Sequence, residues 1–315
     1  MNFRTVLNSK EIQKPVKQID YQSKIGLIGS CFVENIGAKL SYYKLANWIN
    51  PYGILFNPLA IEKALTDIYQ KNVYTQSDLV FENERWHSLH HHSDFSNSDA
   101  TYVLTTINKR IEETFQELQT TSHLVLTLGT AWVYHYIERD ELVANCHKIP
   151  QKNFIKRILS VDEIRKSLEN TIELVKKINP EIQVILTLSP VRHIKDGMLA
   201  NSQSKAQLLA AVYQVLSDDI LYFPSYELQL DDLRDYRFYA DDMLHPNNTA
   251  VDYIWEVFKN IWINPDSYPV MEKVEKVQKA MQHKAFNPDS KQHQDFIENI
   301  KHQKEVLYKL YQIQF

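Results

Sequence analysis

Two residue types are scarce in this chain of 315 residues: cysteine, with 2, and glycine, with 6. The two cysteines, Cys31 and Cys146, exclude a disulfide scaffold, and a pair of free thiols suits a reducing cytoplasm. With so few glycines, each position that carries one invites the question of a special backbone need. Long apolar runs are also missing. No stretch approaches the ~18 residues of a membrane span, and Met1 to Val16 holds no apolar core of secretion-signal length. Neither charge dominates. Net charge is −4, which excludes a global basic field for nucleic acid or anionic membrane. Internal repeats and low-complexity tracts are absent. What is present is ordinary for a globular chain: 44% hydrophobic and 23% charged residues, with an unusual 18 tyrosines. The length allows one large α/β domain with an appendage.

Continuous apolar runs at Lys24 to Ile28, Leu124 to Leu128 and Val184 to Leu188, with a shorter one at Ile220 to Phe223, predict buried strands. Between and after them, helical spacing covers Phe32 to Leu40, Ile61 to Tyr69, Thr101 to Gln119, Val161 to Ile178, Asn201 to Ser217 and Asn248 to Trp262. Strands alternating with helices predict a parallel sheet covered on both faces. Such sheets bind ligands beyond the carboxyl ends of their strands. Three strands end in unusual residues: Gly29-Ser30-Cys31, Gly129-Thr130-Ala131-Trp132 and Ser189-Pro190-Val191-Arg192-His193. The first 24 residues read as an irregular arm. After Pro265, charged helical stretches at Val270 to Lys284 and His293 to Tyr311 flank Asn287-Pro288-Asp289, which predicts a helical hairpin. The expected division is an α/β domain over 1–265 and a C-terminal helical extension packed on it over 266–315.

Gly29-Ser30-Cys31 places a hydroxyl and a thiol at a strand-to-helix turn, where a nucleophile is exposed. Asp242-Met243-Leu244-His245-Pro246 places a carboxylate three residues before an imidazole. In a turn leading into a helix the two can face each other, the carboxylate holding Nδ1 and leaving Nε2 for a nucleophile. Asp241 is a rival for the carboxylate role. Together the segments supply the parts for covalent acyl transfer.

Gly29-Ser30-Cys31-Phe32-Val33 resembles the signature of the GSCFA family, with Val33 where the family name has Ala. The likeness continues through Leu128-Gly129-Thr130-Ala131-Trp132-Val133-Tyr134, Ala144-Asn145-Cys146-His147, Ser189-Pro190-Val191-Arg192-His193 and Asp242 to Pro246, over roughly residues 20–260. That family in turn is similar to the SGNH-hydrolase clan, which implies a flavodoxin-like three-layer α/β/α fold and ester-hydrolase chemistry. The resemblance aligns Cys31 with the clan's nucleophile, ahead of Ser30, and Asp242 and His245 with its Asp-x-x-His block. A thiol at a helix start beside a histidine is expected to have a lowered pKa. For the oxyanion hole, the resemblance points to the Cys31 N–H and to Gly53. The clan's third-block asparagine is missing, since Ala131 stands there. Thr130 and Asn145 are candidate replacements.

His147 and His193 belong to segments expected to border the strand ends, and Arg192 suits a carboxylate, phosphate or acidic sugar. His87, His90, His91 and His92, with Asp94, raise a metal question, but no ligand spacing supports a site, so no metal is expected. A polar lid anchored by Trp86 and Phe95 is expected there instead. The run Tyr236 to Ala240 suits core packing better than sugar stacking. The expected function is an esterase-like acyl hydrolase acting through an acyl-enzyme on a small-molecule or glycan ester, without a cofactor. The alternatives are acyl transfer by the same triad, a metal-assisted hydrolase and an inactive binding protein.

Overall fold

The chain is described by a computed structural model covering residues 7, 12–283, 286 and 289–315. Five parallel strands form its central sheet: β1 (Lys24–Gly29), β2 (Ala46–Ile49), β3 (His123–Leu128), β4 (Gln183–Leu188) and β5 (Ile220–Phe223). They lie in the order β2-β1-β3-β4-β5, the flavodoxin-like arrangement. Every residue of β3 and β4 is buried, which is why these runs read as continuously apolar.

Eight helices accompany the sheet among the described residues: α1 (Phe32–Tyr42), α2 (Pro58–Gln70), α3 (Ala100–Thr120), α4 (Val161–Ile178), α5 (Met198–Val212), α6 (Asn248–Trp262), α7 (Tyr268–Gln282) and α8 (Lys291–Tyr311). A single helical turn also follows β5 at Ser225–Glu227. Side chains alternate across the sheet. Leu124, Leu126 and Leu128 of β3 join a core with α2, α3, α4 and α5. Val125 of the same strand faces a second core with α1 and α6. These are the three layers that the alternation predicts.

The direction of α6 matters for the site. Ile19, five residues before β1, donates its N–H to the carbonyl of Trp262 at 2.7 Å, which fixes the end of α6 at the amino edge of the sheet. Its start therefore lies at the carboxyl edge, where α1 also begins directly after β1. An ion pair between Lys39 and Asp252 ties the two helices together.

The short edge strand β2 is absent from the sequence reading. So are two antiparallel elements: a hairpin of Leu79–Glu82 with Arg85–Ser88, and a meander of Trp132–Tyr136, Glu141–Val143 and Phe154–Ile158. All are partly exposed, so polar residues interrupt their apolar pattern. In the C-terminal hairpin, Val270, Val274 and Val277 of α7 pack on Ile300 and Leu307 of α8. Met271 reaches the core beside α1, and Gln278 donates to the Tyr42 carbonyl at 2.9 Å. Asn287 and Pro288 of the predicted turn, and most of the N-terminal arm, lie outside the described residues. Among the described residues no helix is long and apolar enough to cross a membrane.

Candidate active site

The first strand ends in a turn that only glycine fits. Gly29 has φ +140°, and a Cβ there would stand 2.1 Å from the Thr127 carbonyl oxygen. Its N–H donates to Asn50 Oδ1 at 2.9 Å, and the next N–H, of Ser30, donates to the Thr127 carbonyl at 3.1 Å. The Ser30 side chain is fully buried, and its hydroxyl has no hydrogen-bond partner among the described residues. Cys31 follows as the N-cap of α1 and keeps partial access to solvent. Of the two rival nucleophiles, only the thiol reaches the surface of the edge.

The thiol's acidity departs from expectation. Burial, with Glu34 second, raises the Cys31 pKa. The N–H groups of Cys31 and Phe32 and the Lys205 ammonium act the other way and do not win. A helix start alone does not make a thiolate when the sulfur is desolvated and a carboxylate stands nearby.

The second segment forms the turn that its spacing predicts. Asp242 Oδ1 accepts N–H groups from Leu244 at 2.9 Å and His245 at 3.0 Å, and Oδ2 meets His245 Nδ1 at 2.6 Å. Met243 between them is left-handed, at φ +58°. The backbone N–H groups of His245 and Leu244, and then the ring, hold the Asp242 carboxyl down at about 2. It is therefore a carboxylate near neutral pH, so Nδ1 carries the proton and Nε2 presents a lone pair. The partner is Asp242, not Asp241. Both side chains are about half exposed, at 46% and 48%. Among the described residues no hydrogen bond joins His245 to Cys31; they share the carboxyl edge, each just before a helix that starts there.

Two of the expected oxyanion contributors, Gly53 and Thr130, have their backbone N–H groups occupied. Gly53 donates its N–H to the Asn50 carbonyl at 2.8 Å. Its own need for glycine is different: φ is +72°, and a Cβ would stand 2.2 Å from His92 Cβ. Gly129 and Thr130 both donate to the Phe56 carbonyl, at 2.8 and 2.9 Å. Asn145 Oδ1 accepts the His147 N–H at 3.0 Å. Arg192 lies over the Tyr239 ring, 5.2 Å from its centroid, and bonds the Tyr239 hydroxyl at 3.3 Å. It thus links the loop after β4 to the segment before the Asp-His turn. His193 sits edge-on to Phe56, with its N–H on Asn201 Oδ1.

The histidine segment folds inward, which corrects the expected lid. Trp86 and Phe95 do pack against the core. His91, however, is fully buried, stacked on Tyr52 at 4.1 Å and bonded to Ser88 Oγ at 2.8 Å. His87 stacks on His147 at 4.6 Å, and His147 Nε2 meets the Ser88 carbonyl at 2.7 Å. Burial drives the His91 pKa well down and takes His147 down to about 4. Among the described residues no group of three or more His, Cys, Asp or Glu is arranged to hold a metal.

One contributor escapes the sequence reading altogether. The inner face of α5 carries Asn201, Ser204 and Lys205, all buried. Asn201 holds the loop after β4; Ser204 accepts the Ala131 N–H at 2.7 Å and so holds the loop after β3. Lys205 donates to the Ser189 carbonyl at 2.6 Å. Desolvation brings its ammonium down to about 7. The only signal is polar residues at i, i+3 and i+4 on a helix that must bury one face.

Comparison with solved structures gives distant likenesses. A carbohydrate esterase family 3 structure from Talaromyces cellulolyticus is 10% identical over 79% of this chain and 98% of its own, with a TM-score of 0.38. A Clostridium thermocellum family 3 carbohydrate esterase is 10% identical over 80% and 98%, with a TM-score of 0.34. An acetyl xylan esterase from the rumen bacterium Butyrivibrio proteoclasticus is 14% identical over 76% and 64%, with a TM-score of 0.34. No curated protein matches the chain. The profile described as "GSCFA family" matches residues 24–258, the sheet domain with all the strand-end segments, and "GSCFA domain protein, C-terminal domain" matches 274–314. The chain therefore belongs to the GSCFA family.

Proposed function

We propose that the protein is an acyl hydrolase working through a thioester on Cys31. The observation that carries this reading is the Asp242–His245 pair at 2.6 Å, set before α6 on the edge where Cys31 starts α1. The Cys31 sulfur attacks an ester carbonyl, and its proton passes to His245 Nε2. Asp242 holds the ring in the tautomer that can accept it. The N–H groups at the start of α1 face the sulfur and stabilise the oxyanion. The carbon–oxygen bond breaks, and the alcohol leaves with the proton from His245. Water then attacks the thioester and gives a proton to His245. The acid departs, and His245 returns the proton to the thiol. Because burial raises the thiol's pKa, removal of its proton falls to His245 at the moment of attack. An acceptor hydroxyl in place of water turns the same cycle into acyl transfer.

Release of 4-nitrophenol from 4-nitrophenyl acetate tests the nucleophile. Cys31→Ala is expected to abolish it and Ser30→Ala to retain it. The reverse pattern assigns the attack to Ser30, and retention in both variants removes the covalent reading.

A further inference from the structure

Acyl transfer at Cys31 leaves unexplained a cavity of about 600 Å3 beside the strand ends. Its inner wall includes Phe56 and Thr130. Leu55, next to Phe56, donates its N–H to the Gly29 carbonyl at 3.0 Å, so this wall adjoins the turn that presents Cys31. The outer wall is aromatic. Trp132 and Tyr134 lie two apart on one meander strand and so share a face. Lys148 and Lys195 also line it, and no aspartate or glutamate stands among the lining residues.

Both lysines are exposed residues that line the cavity. Lys195 Nζ lies 6.0 Å from the Tyr134 ring centroid, and its charge acts on the Cys146 thiol of the same wall. Lys148 follows His147, and both are left-handed, at φ +64° and +46°. Such a conformation is strained for a non-glycine residue and persists only where contacts impose it. Here Asn145 holds the His147 N–H and the Ser88 carbonyl holds its ring.

We propose that this cavity binds an anionic group of the ester substrate, a carboxylate or phosphate, between Lys148 and Lys195, with the adjoining carbon skeleton on Trp132 and Tyr134. The proposal rests on the acyl-hydrolase reading for the role of the ligand, not for its binding. The volume is in the range of small-molecule sites. Two ammonium groups without a lining carboxylate leave a positive field that an anion neutralises.

The test compares phenyl acetate with 4-acetoxybenzoate and 4-acetoxyphenyl phosphate as substrates of the full chain. The two anionic esters separate carboxylate from phosphate. The expected result is a kcat/KM at least ~10-fold higher for one anionic ester at low salt, with the ratio to phenyl acetate falling towards one in the double variant Lys148→Gln, Lys195→Gln. Equal values for all three esters, or a preference that survives the double substitution, overturns the proposal. Binding is read separately from the melting temperature with 4-hydroxybenzoate or 4-hydroxyphenyl phosphate. A rise seen in the native chain and lost in the double variant, without turnover of any ester, keeps the anion site and rejects the hydrolase. No rise and no turnover rejects both.

Discussion

The molecule holds histidines in two opposite settings. His245 stands half exposed on the carboxyl edge, its Nδ1 on a carboxylate held ionised by backbone N–H groups. His87, His91 and His147 lie buried, bonded to hydroxyls and carbonyls and stacked on aromatic rings or on one another. The first setting keeps Nε2 accessible while the carboxylate holds Nδ1. The second removes water, and for His91 and His147 burial disfavours the charged form. The residue type alone does not make a base; a carboxylate partner and access to solvent do.

Exchanging the roles of the two regions is the sharpest way to break this contrast. His245→Ala is expected to lower turnover of an activated acetate ester by about 10³–10⁴-fold, with the melting temperature within a few degrees of the native chain. His91→Ala is expected to do the reverse. It removes a buried, stacked ring, costs about 2–4 kcal/mol and leaves turnover within a few-fold. Thermal melts beside steady-state rates check both. A His91→Ala protein that melts normally but does not turn over contradicts the division of labour.

Acid provides the next contrast. His147 has a folded pKa of about 4 against an ordinary 6.5, and His91 is lowered by the same desolvation. Below 6.5 the unfolded chain binds protons that the folded rings refuse. The stability these rings contribute is thus intact above 6.5 and is lost as pH falls towards 4. Denaturant melts between pH 7 and 4 are expected to show that decline, less steep in His147→Gln. A decline of equal slope in that variant contradicts the assignment.

The smallest effect concerns the thiol. Its raised pKa predicts slow alkylation by iodoacetamide at neutral pH and an increase through the alkaline range. Glu34→Gln, which removes the second cause of the shift, is expected to speed the neutral reaction about twofold. Unchanged alkylation kinetics assign the shift to burial alone.

What the sequence disclosed follows from burial. Strands β3 and β4 were legible because all their residues are inside. The meander was not, because Trp132, Tyr134 and His135 face partly outward and mix polar with apolar. Asp242 and His245 were legible because three residues of a turn set their geometry locally. The acidity of Cys31 was misjudged because it depends on desolvation and on Glu34 rather than on the helix start alone. The roles of Gly53 and Thr130 were hidden in backbone hydrogen bonds to Asn50 and Phe56, partners no local pattern announces. Lys205 was invisible because a lysine in a helix is by default a surface residue.

The most direct test of the acyl-enzyme is the mass of the intact folded protein quenched shortly after mixing with an activated acetate ester. A single acetyl gain mapped to Cys31, absent in Cys31→Ala and slower to form in His245→Ala, is the expected result. A gain mapped to Ser30 or to a surface lysine, or no gain while ester is consumed, contradicts a thioester at the end of the first strand.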